Sequence, residues 1–464
     1  MITTLKFGGT SVQDANAVRR LIKIVKSRPG KRLVVVSALS KVTDLLLAAS
    51  DSAAGGQTQE IKAQLDALRA RHQTLISELA LSSETLAQVD LQFHSLEQFL
   101  CALSAVGEIS PRSLDRIVAV GELCSSIIIA DAFRVSDVPV SWLDARTVLK
   151  TDDHFTGAAV DFEQTSVLAK KEISARLNSA EVVVTGGFIG GTEIKGQLVT
   201  TTLGRGGSDY SAAILGAAID SRKIEIWTDV NGILTTDPRM VPSAKLITRL
   251  SFDEAAELAY FGAKVLHPAT IFPAVKKDIP VFVLNSMNPD RAGTEITRQP
   301  VDDQNVVKAL ACKRNITLLN IYSSRMLGAS GFLNSVFEAF ARHRVSIDLI
   351  STSEVNVSLT LDPKTDPESL SSVVREIEKF ATVTLTSAMA SVAAVGSGIR
   401  NAAGVGARIF GALRGYSIHM ISMGSSEVNI SLVVSDRDVV SVIEKLHKEF
   451  FDQNQNSEIF VDNA

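Results

Sequence analysis

The feature that most constrains this chain is a duplication in its second half. Ser346-Ile347-Asp348-Leu349-Ile350-Ser351 returns as Ser417-Ile418-His419-Met420-Ile421-Ser422. Ser353-Glu354-Val355-Asn356-Val357-Ser358-Leu359 returns as Ser426-Glu427-Val428-Asn429-Ile430-Ser431-Leu432, differing only at Val357/Ile430. Each copy reads as a β-hairpin. A helical segment precedes each hairpin, Leu333–His343 and Ala407–Arg414, and another follows each, Glu368–Phe380 and Arg437–Phe450. The repeated unit is therefore strand, helix, strand, strand, helix, strand, of the ferredoxin-like kind. Two such units in tandem, remote from the glycine-rich loops of the first half, predict a regulatory half rather than a catalytic one.

Ahead of the repeat, strand-like and helix-like patterns alternate, which predicts an α/β domain with a mostly parallel sheet between helices. The expected strands are Ile2–Phe7, Arg32–Ser37, Val138–Trp142, Glu181–Thr185, Lys223–Thr228 and Pro280–Leu284. From Gln57 to Val106, apolar residues recur near helical spacing (Leu65, Leu68, Leu75, Ile76, Leu79; then Leu86, Val89, Phe93, Leu96), predicting two amphipathic helices in an inserted lobe. Thr297–Val306 is polar and reads as a linker. The expected divisions are 1–296, a linker at 297–306, repeat units at 307–386 and 387–455, and a tail at 456–464. A length of 464 residues accommodates about three domains.

Composition excludes several classes. With 45% apolar and 21% charged residues the chain reads as a soluble globular protein, and a net charge of −4 argues against a nucleic-acid binder. Cys101, Cys124 and Cys312 lack CxxC spacing, so neither a disulfide framework nor a zinc site is expected, and a cytoplasmic location fits. The N-terminus shows no basic-then-apolar leader, and the longest apolar run, Ile127–Ala130, is far short of a membrane span.

The chemistry is concentrated in glycine-rich strand ends. Residues 200–212, TTTLGRGGSDYSA, place Gly204, Gly206 and Gly207, a cation, a hydroxyl and a carboxylate between a polar strand end and an apolar helix. Ser208 or Asp209 is positioned to cap that helix, and Arg205 carries a planar fork suited to a carboxylate. Free N–H groups and the dipole at a helix start attract anions. A second such loop, Lys6-Phe7-Gly8-Gly9-Thr10-Ser11, opens the chain. There Gly8 and Gly9 can offer amides, Thr10 and Ser11 hydroxyls, and Lys6 a point charge at a strand end. Taken singly, each segment is also what an ordinary glycine-rich turn looks like. No G-x-x-x-x-G-K-[ST] occurs, so this is no P-loop enzyme. Val395–Asn401 approaches a dinucleotide fingerprint but has Asn401 at the third glycine position, which excludes a Rossmann dehydrogenase. Glu122, before an apolar helical segment, reads either as a helix-dipole partner or as a ligand for a substrate ammonium.

Six segments together resemble the aspartate kinases (aspartokinases) of the amino acid kinase superfamily. They are KFGGTS at 6–11, SALSKVTDLL at 37–46, GE at 121–122, TTTLGRGGSDYSA at 200–212, WTDVNGILTTDPR at 227–239 and FGAKVLHPAT at 261–270. The repeat resembles that family's pair of ACT domains, and the absence of a following dehydrogenase segment matches the single-function, lysine-inhibited type. The resemblance implies an amino acid kinase fold followed by two ferredoxin-like ACT domains. It also implies transfer of the ATP γ-phosphoryl group to the β-carboxylate of L-aspartate, the first step towards lysine, threonine and methionine.

By the same resemblance, Lys6 neutralises the transferring phosphoryl and Asp209 orients Lys6. Gly8, Gly9 and Thr10 bind phosphate, and magnesium arrives with ATP, with no protein metal ligand expected. Thr43, Glu122, Arg205, Gly206, Gly207 and Ser208 hold the aspartate. Thr228, Asp229, Arg239, Lys264 and Val265 line the ATP site. Leu234 stands where the family often has tyrosine, and Asp44 where asparagine is frequent. Met326, Ser346, Asp348, Thr352, Ser353 and Glu354 match positions near the inhibitor lysine. His419 replaces Asp348 in the second copy, so the first copy alone is expected to carry the full effector site. Effector binding between ACT pairs implies a homodimer or larger, with no nucleic-acid or membrane partner. Two other readings stand beside this one: a different amino acid kinase, and an amino-acid sensor with an inactive kinase domain.

Overall fold

The computed structural model describes residues 1–261, 268–300, 305–327, 330–424, 426–452 and 459–463. The chain divides into two units. One holds residues 1–233, 248–252 and 265–299, and the other holds 234–247, 253–264 and 300–464.

Valine-rich strands such as Lys31–Val36 and Val182–Gly186 are buried on both faces, which is the condition for a parallel sheet covered by helices. Among the described residues the first unit has an eight-stranded sheet. Its order is Val140–Leu143, Val182–Gly186, Lys31–Val36, Ile2–Phe7, Lys223–Thr228, Val281–Asn285, Thr294–Thr297 and Arg249–Ser251. The first six strands pair in parallel, and they are the six expected from sequence. The strand order reverses between Ile2–Phe7 and Lys223–Thr228. In an open α/β sheet that switch point is where a ligand-binding crevice forms, beyond the carboxyl ends of the strands. Thr294–Thr297 runs antiparallel to Val281–Asn285, so the expected linker begins inside a strand; residues 301–304 of it lie outside those described.

The two expected helices are Thr58–Glu78 and Ser83–Val106. They do not form a lobe of their own. Leu65, Leu68, Ile76, Phe93 and Leu96 join the same buried cluster as Leu5, Val34 and Val184 of the sheet. The hairpin Ile189–Ile194/Gln197–Thr202 was not expected, because its strands carry too few apolar residues to signal themselves. Among the described residues no helix is long and apolar enough to cross a membrane.

In the second unit the two repeats share one antiparallel sheet. Its order is Ile350–Thr352, Asn356–Leu361, Ala309–Tyr322, Thr382–Val395, Asn429–Ser435 and Met420–Met423. The copies match at the level of single hydrogen bonds. The Asp348 N–H donates to the Thr360 carbonyl at 2.9 Å, and its counterpart His419 N–H donates to the Val433 carbonyl at 2.8 Å.

The repeats do not follow one another as the divisions at 307–386 and 387–455 supposed. Thr317–Tyr322 pairs with Asn356–Leu361 of the first repeat, whereas Ala309–Lys313 pairs with Ser391–Val395. Val307 and Leu310 pack with Val392, Ile399, Ile443 and Phe450, while Leu319 and Ile321 pack with Val336, Leu359 and Ile377. The first strand of the second repeat thus precedes the whole first repeat, which is inserted within it. Nor is the tail wholly outside the fold: Phe460–Val461 forms a strand pair with Leu246–Ile247.

Candidate active site

Beyond the carboxyl ends of the central strands of the first unit lies a cavity of 680 Å³. The Ile2–Phe7 strand delivers Lys6 to it, between neighbouring positions Val35 and Ile226. Lys6 Nζ lies 2.7 Å from Asp209 Oδ1, with the two side chains 11% and 17% exposed. Such a shielded pair holds the lysine head in place while leaving it open to an anion. The following loop is seamed to its neighbours. Gly9 accepts from the Ser40 N–H at 3.1 Å, and a Cβ on Gly9 would stand 3.0 Å from the Ala38 carbonyl oxygen. Gly8 donates its N–H to the Trp227 carbonyl at 3.1 Å, so that amide is not available to a phosphate as the sequence reading supposed.

The run 200–212 folds as strand, turn and helix, with the helix spanning Gly207–Ala218. Its cap is not Ser208 or Asp209. Gly206 occupies that position at φ 76°, a left-handed conformation that favours glycine, and no side chain caps the helix. The reason is that Asp209, in the first turn, is committed to Lys6. The helix start therefore faces the cavity uncapped, as an anion site does. Arg205 lines the cavity exposed, with no side-chain partner among the described residues.

The helix Pro111–Arg134 contributes Glu122, which is 3% exposed. Burial pushes its carboxyl up to about 8, although a backbone hydrogen bond at Ala38 and the charge of Lys6 work the other way. Its Oε2 has no hydrogen-bond partner. A buried carboxyl group with one oxygen unpaired and facing a cavity is suited to receive a cation.

The cavity brings together Lys6, Gly8, Gly9, Thr10, Thr43, Glu122, Arg205, Gly206, Gly207, Ser208, Asp209, Thr228 and Asp229. Arg239 belongs to the second unit, where it is highly exposed and paired with Asp237 at 2.5 Å. Lys264 and Val265 lie outside the described residues. Of the six expected effector residues, Met326 and Glu354 line a separate cavity of 470 Å³ in the second unit. Asp348 is not on that wall and is paired with Lys313. Ser353 Oγ accepts from the Asn356 N–H at 3.2 Å, Thr352 pairs with Val357 at a sheet edge, and Ser346 is exposed.

Asp115 and Phe188 are among the cavity residues given no role from sequence. Asp115 is buried and accepts from Thr156 N at 3.0 Å, from Thr202 N at 2.9 Å and from Thr202 Oγ1 at 2.7 Å, tying the 200–212 run to the helix behind it. A lone aspartate on an apolar helix face gives no signal of such a role. Phe188 holds φ 66° with its N–H donating to Ser211 Oγ at 3.0 Å. A bulky residue in that region is strained, and strain concentrates at binding sites. The preceding Gly186-Gly187 is the only sequence hint of it.

Residues 1–285 match the amino acid kinase family, and 319–375 and 392–450 match the ACT domain. The chain is 41% identical over 456 residues to lysine-sensitive aspartokinase 3 of Escherichia coli (strain K12), covering 97% of this chain and 99% of that protein. This chain belongs to the aspartokinase family. The chloroplastic aspartokinase 3 of Arabidopsis thaliana is 37% identical, covering 97% of this chain and 81% of the plant protein. The crystal structure of E. coli aspartokinase III in complex with aspartate and ADP (R-state) matches with a TM-score of 0.83 at 40% identity, covering 97% of this chain and 100% of that one. The same enzyme in complex with lysine and aspartate (T-state) matches with a TM-score of 0.81 at 41% identity, covering 97% of this chain and 99% of that one. The resemblance to aspartokinases, the kinase fold and the paired ACT domains are thereby borne out.

Proposed function

We propose that this aspartokinase works by charge neutralisation at the Lys6–Asp209 pair, transferring the ATP γ-phosphoryl group to the β-carboxylate of L-aspartate. The observation that carries this reading is a held lysine facing the same cavity as the buried Glu122, whose Oε2 has no hydrogen-bond partner. One is suited to the transferring phosphoryl, the other to the substrate ammonium. A side-chain carboxyl of aspartate with a pKa of about 3.9 is already ionised at neutral pH, so the nucleophile needs no general base. A carboxylate oxygen attacks the γ-phosphorus, the bond to the ADP oxygen breaks, and ADP leaves with that electron pair. What opposes the step is the approach of two anions, which positioning and preorganised charge overcome.

In this scheme Lys6 meets the phosphoryl oxygens, and Asp209 fixes its head. Gly9 and Thr10 offer amides to phosphate, while Gly8 serves as a close-approach point. Arg205 forks onto a substrate carboxylate, Thr43 and Ser208 hydrogen-bond the substrate, and Gly206 and Gly207 let it reach the backbone. Thr228 and Asp229 take the nucleotide from the strand end. Magnesium belongs here as the partner of ATP. Asp229, on the cavity wall, is the kind of oxygen donor it accepts, and the ion would supply neutralisation of phosphate charge.

Lysine acts as the feedback effector at the first ACT unit, in a homodimer or larger assembly in the cytoplasm. An ATP-dependent hydroxamate assay over aspartate, glutamate and acetylglutamate, with and without lysine or threonine, tests the reading. Aspartate-dependent turnover suppressed by lysine is expected. Turnover on glutamate but not aspartate would replace it with a different amino acid kinase, and no turnover would leave a sensor.

A further inference from the structure

We propose that Lys313 is a built-in rival of the effector's ammonium group, and that Tyr260 passes the outcome of that competition to the helix Phe252–Tyr260. This rests on reading Asp348 as an effector residue. Lys313 Nζ lies 2.6 Å from Asp348 Oδ2 and 2.7 Å from Asp362 Oδ2. Tyr260 donates its hydroxyl to the other oxygen, Asp348 Oδ1, at 3.1 Å. Both oxygens of the expected effector carboxylate are therefore already engaged, one of them by a primary ammonium. A free amino acid presents that same group. Two like-charged ammonium heads drawn to one carboxylate repel each other, so an effector that engages Asp348 weakens the hold of that carboxylate on Lys313 and competes with it.

The placement of Lys313 follows from the backbone. The long Ala309–Tyr322 strand shifts register between Lys313 and Ile316, with Asn315 at φ 56°. A bulge of this kind re-aims the side chains beside it. It sends two successive cations in different directions. Lys313 goes to Asp348 and Asp362 of the first repeat, and Arg314 goes to Asp436 of the second, 2.6 Å away. The second repeat has His419 at the place of Asp348, so the arrangement exists once per chain.

The pair is shielded enough for the competition to matter, because Lys313 and Asp348 are both largely buried. Burial alone would lower the Lys313 ammonium, but Asp348 and Asp362 outweigh it and hold it above its ordinary value. Asp362 keeps a second carboxylate beside Lys313, so the displaced lysine retains a partner. The Tyr260 hydroxyl is pushed well up, by burial first and the Asp348 charge next, and so stays a donor.

Tyr260 ends a helix anchored along its length. Glu254 Oε1 accepts from Ser397 N at 2.7 Å and pairs with Lys308, and Glu257 accepts from Ser426 and Asn429. An effector acts only through contacts that differ between two states. Exchange of Lys313 for the effector ammonium, with loss of the Tyr260 bond, is such a difference.

The test uses the full-length enzyme with L-lysine as probe, measuring binding by calorimetry and inhibition of turnover in parallel. Lys313→Met is expected to bind lysine roughly tenfold more tightly, about 1.4 kcal/mol. Tyr260→Phe is expected to keep lysine binding while the maximal inhibition falls, a split that a merely structural role would not produce. Asp348→Asn is expected to lose lysine binding. If Asp348→Asn loses binding but Lys313→Met binds lysine no better than the parent, the rivalry is overturned while the effector site stands. If Asp348→Asn binds lysine normally, the effector reading of Asp348 itself falls, and this proposal with it. Equal loss of binding and inhibition in Tyr260→Phe would overturn the relay.

Discussion

At the residue scale, Glu122 is the group whose environment most changes its chemistry. Its folded value is raised to about 8 from 4.5. Between those pH values the folded chain holds a proton that the unfolded chain has released. Stability of the ligand-free enzyme should therefore decline as pH rises through that window and level off above it. Urea midpoints from pH 5 to 9 check this, with a shallower decline expected in Glu122→Gln. The ionised carboxylate is the form that pairs with an ammonium. KM for aspartate should thus fall as pH rises towards 8 in the parent, and be flat and roughly 10–100-fold higher in Glu122→Gln. Lys6→Ala removes the charge that meets the phosphoryl group. Its kcat should drop by roughly 10²–10³-fold with an unchanged circular dichroism spectrum. The sequence named both residues, but the burial of Glu122 and its unpaired Oε2 are tertiary facts. They are what tip it from a helix-dipole partner to a cation receptor.

At the element scale, the site depends on loops that touch each other's backbone. A methyl on Gly9 would stand 3.0 Å from the Ala38 carbonyl oxygen and 3.2 Å from Ser40 N, and neither backbone atom can swing away. Gly9→Ala should cost about 1–3 kcal/mol and raise KM for ATP, measured by chemical denaturation and steady-state kinetics. The helix Gly207–Ala218 teaches the complementary lesson. Its position is legible from the glycines and the apolar run that follows, but its cap is not. Local preference favours Ser208 or Asp209 as the cap, yet Lys6, some 200 residues away in sequence, claims Asp209. Strands behave likewise: the valine-rich parallel ones are evident, whereas the polar hairpin Ile189–Ile194/Gln197–Thr202 is not.

At the scale of the whole molecule, the ACT module is closed by a strand that precedes it. Just before that strand, Lys308 pairs with Glu254 at 3.0 Å, with the two side chains 2% and 0% exposed. Removing one partner of such a pair leaves a buried charge. Lys308→Met should destabilise the second unit by about 3–5 kcal/mol, and Lys308→Met with Glu254→Gln should recover much of that. Thermal and urea unfolding of the two variants beside the parent decide it.

By itself the sequence determined the elements, the duplication and the chemical inventory, because those rest on local periodicity, glycine placement and repeated strings. Lys6, Glu122, Arg205 and Asp209 could all be named that way. Only the tertiary structure decided which of them meet, because each partnership depends on burial and on contacts between segments far apart in the chain. It paired Asp209 with Lys6 rather than with its own helix, buried Glu122 with its Oε2 unpaired, and gave the strand Ala309–Lys313 to the second repeat. It also set Lys313 against Asp348, a contact that no spacing in the sequence encodes.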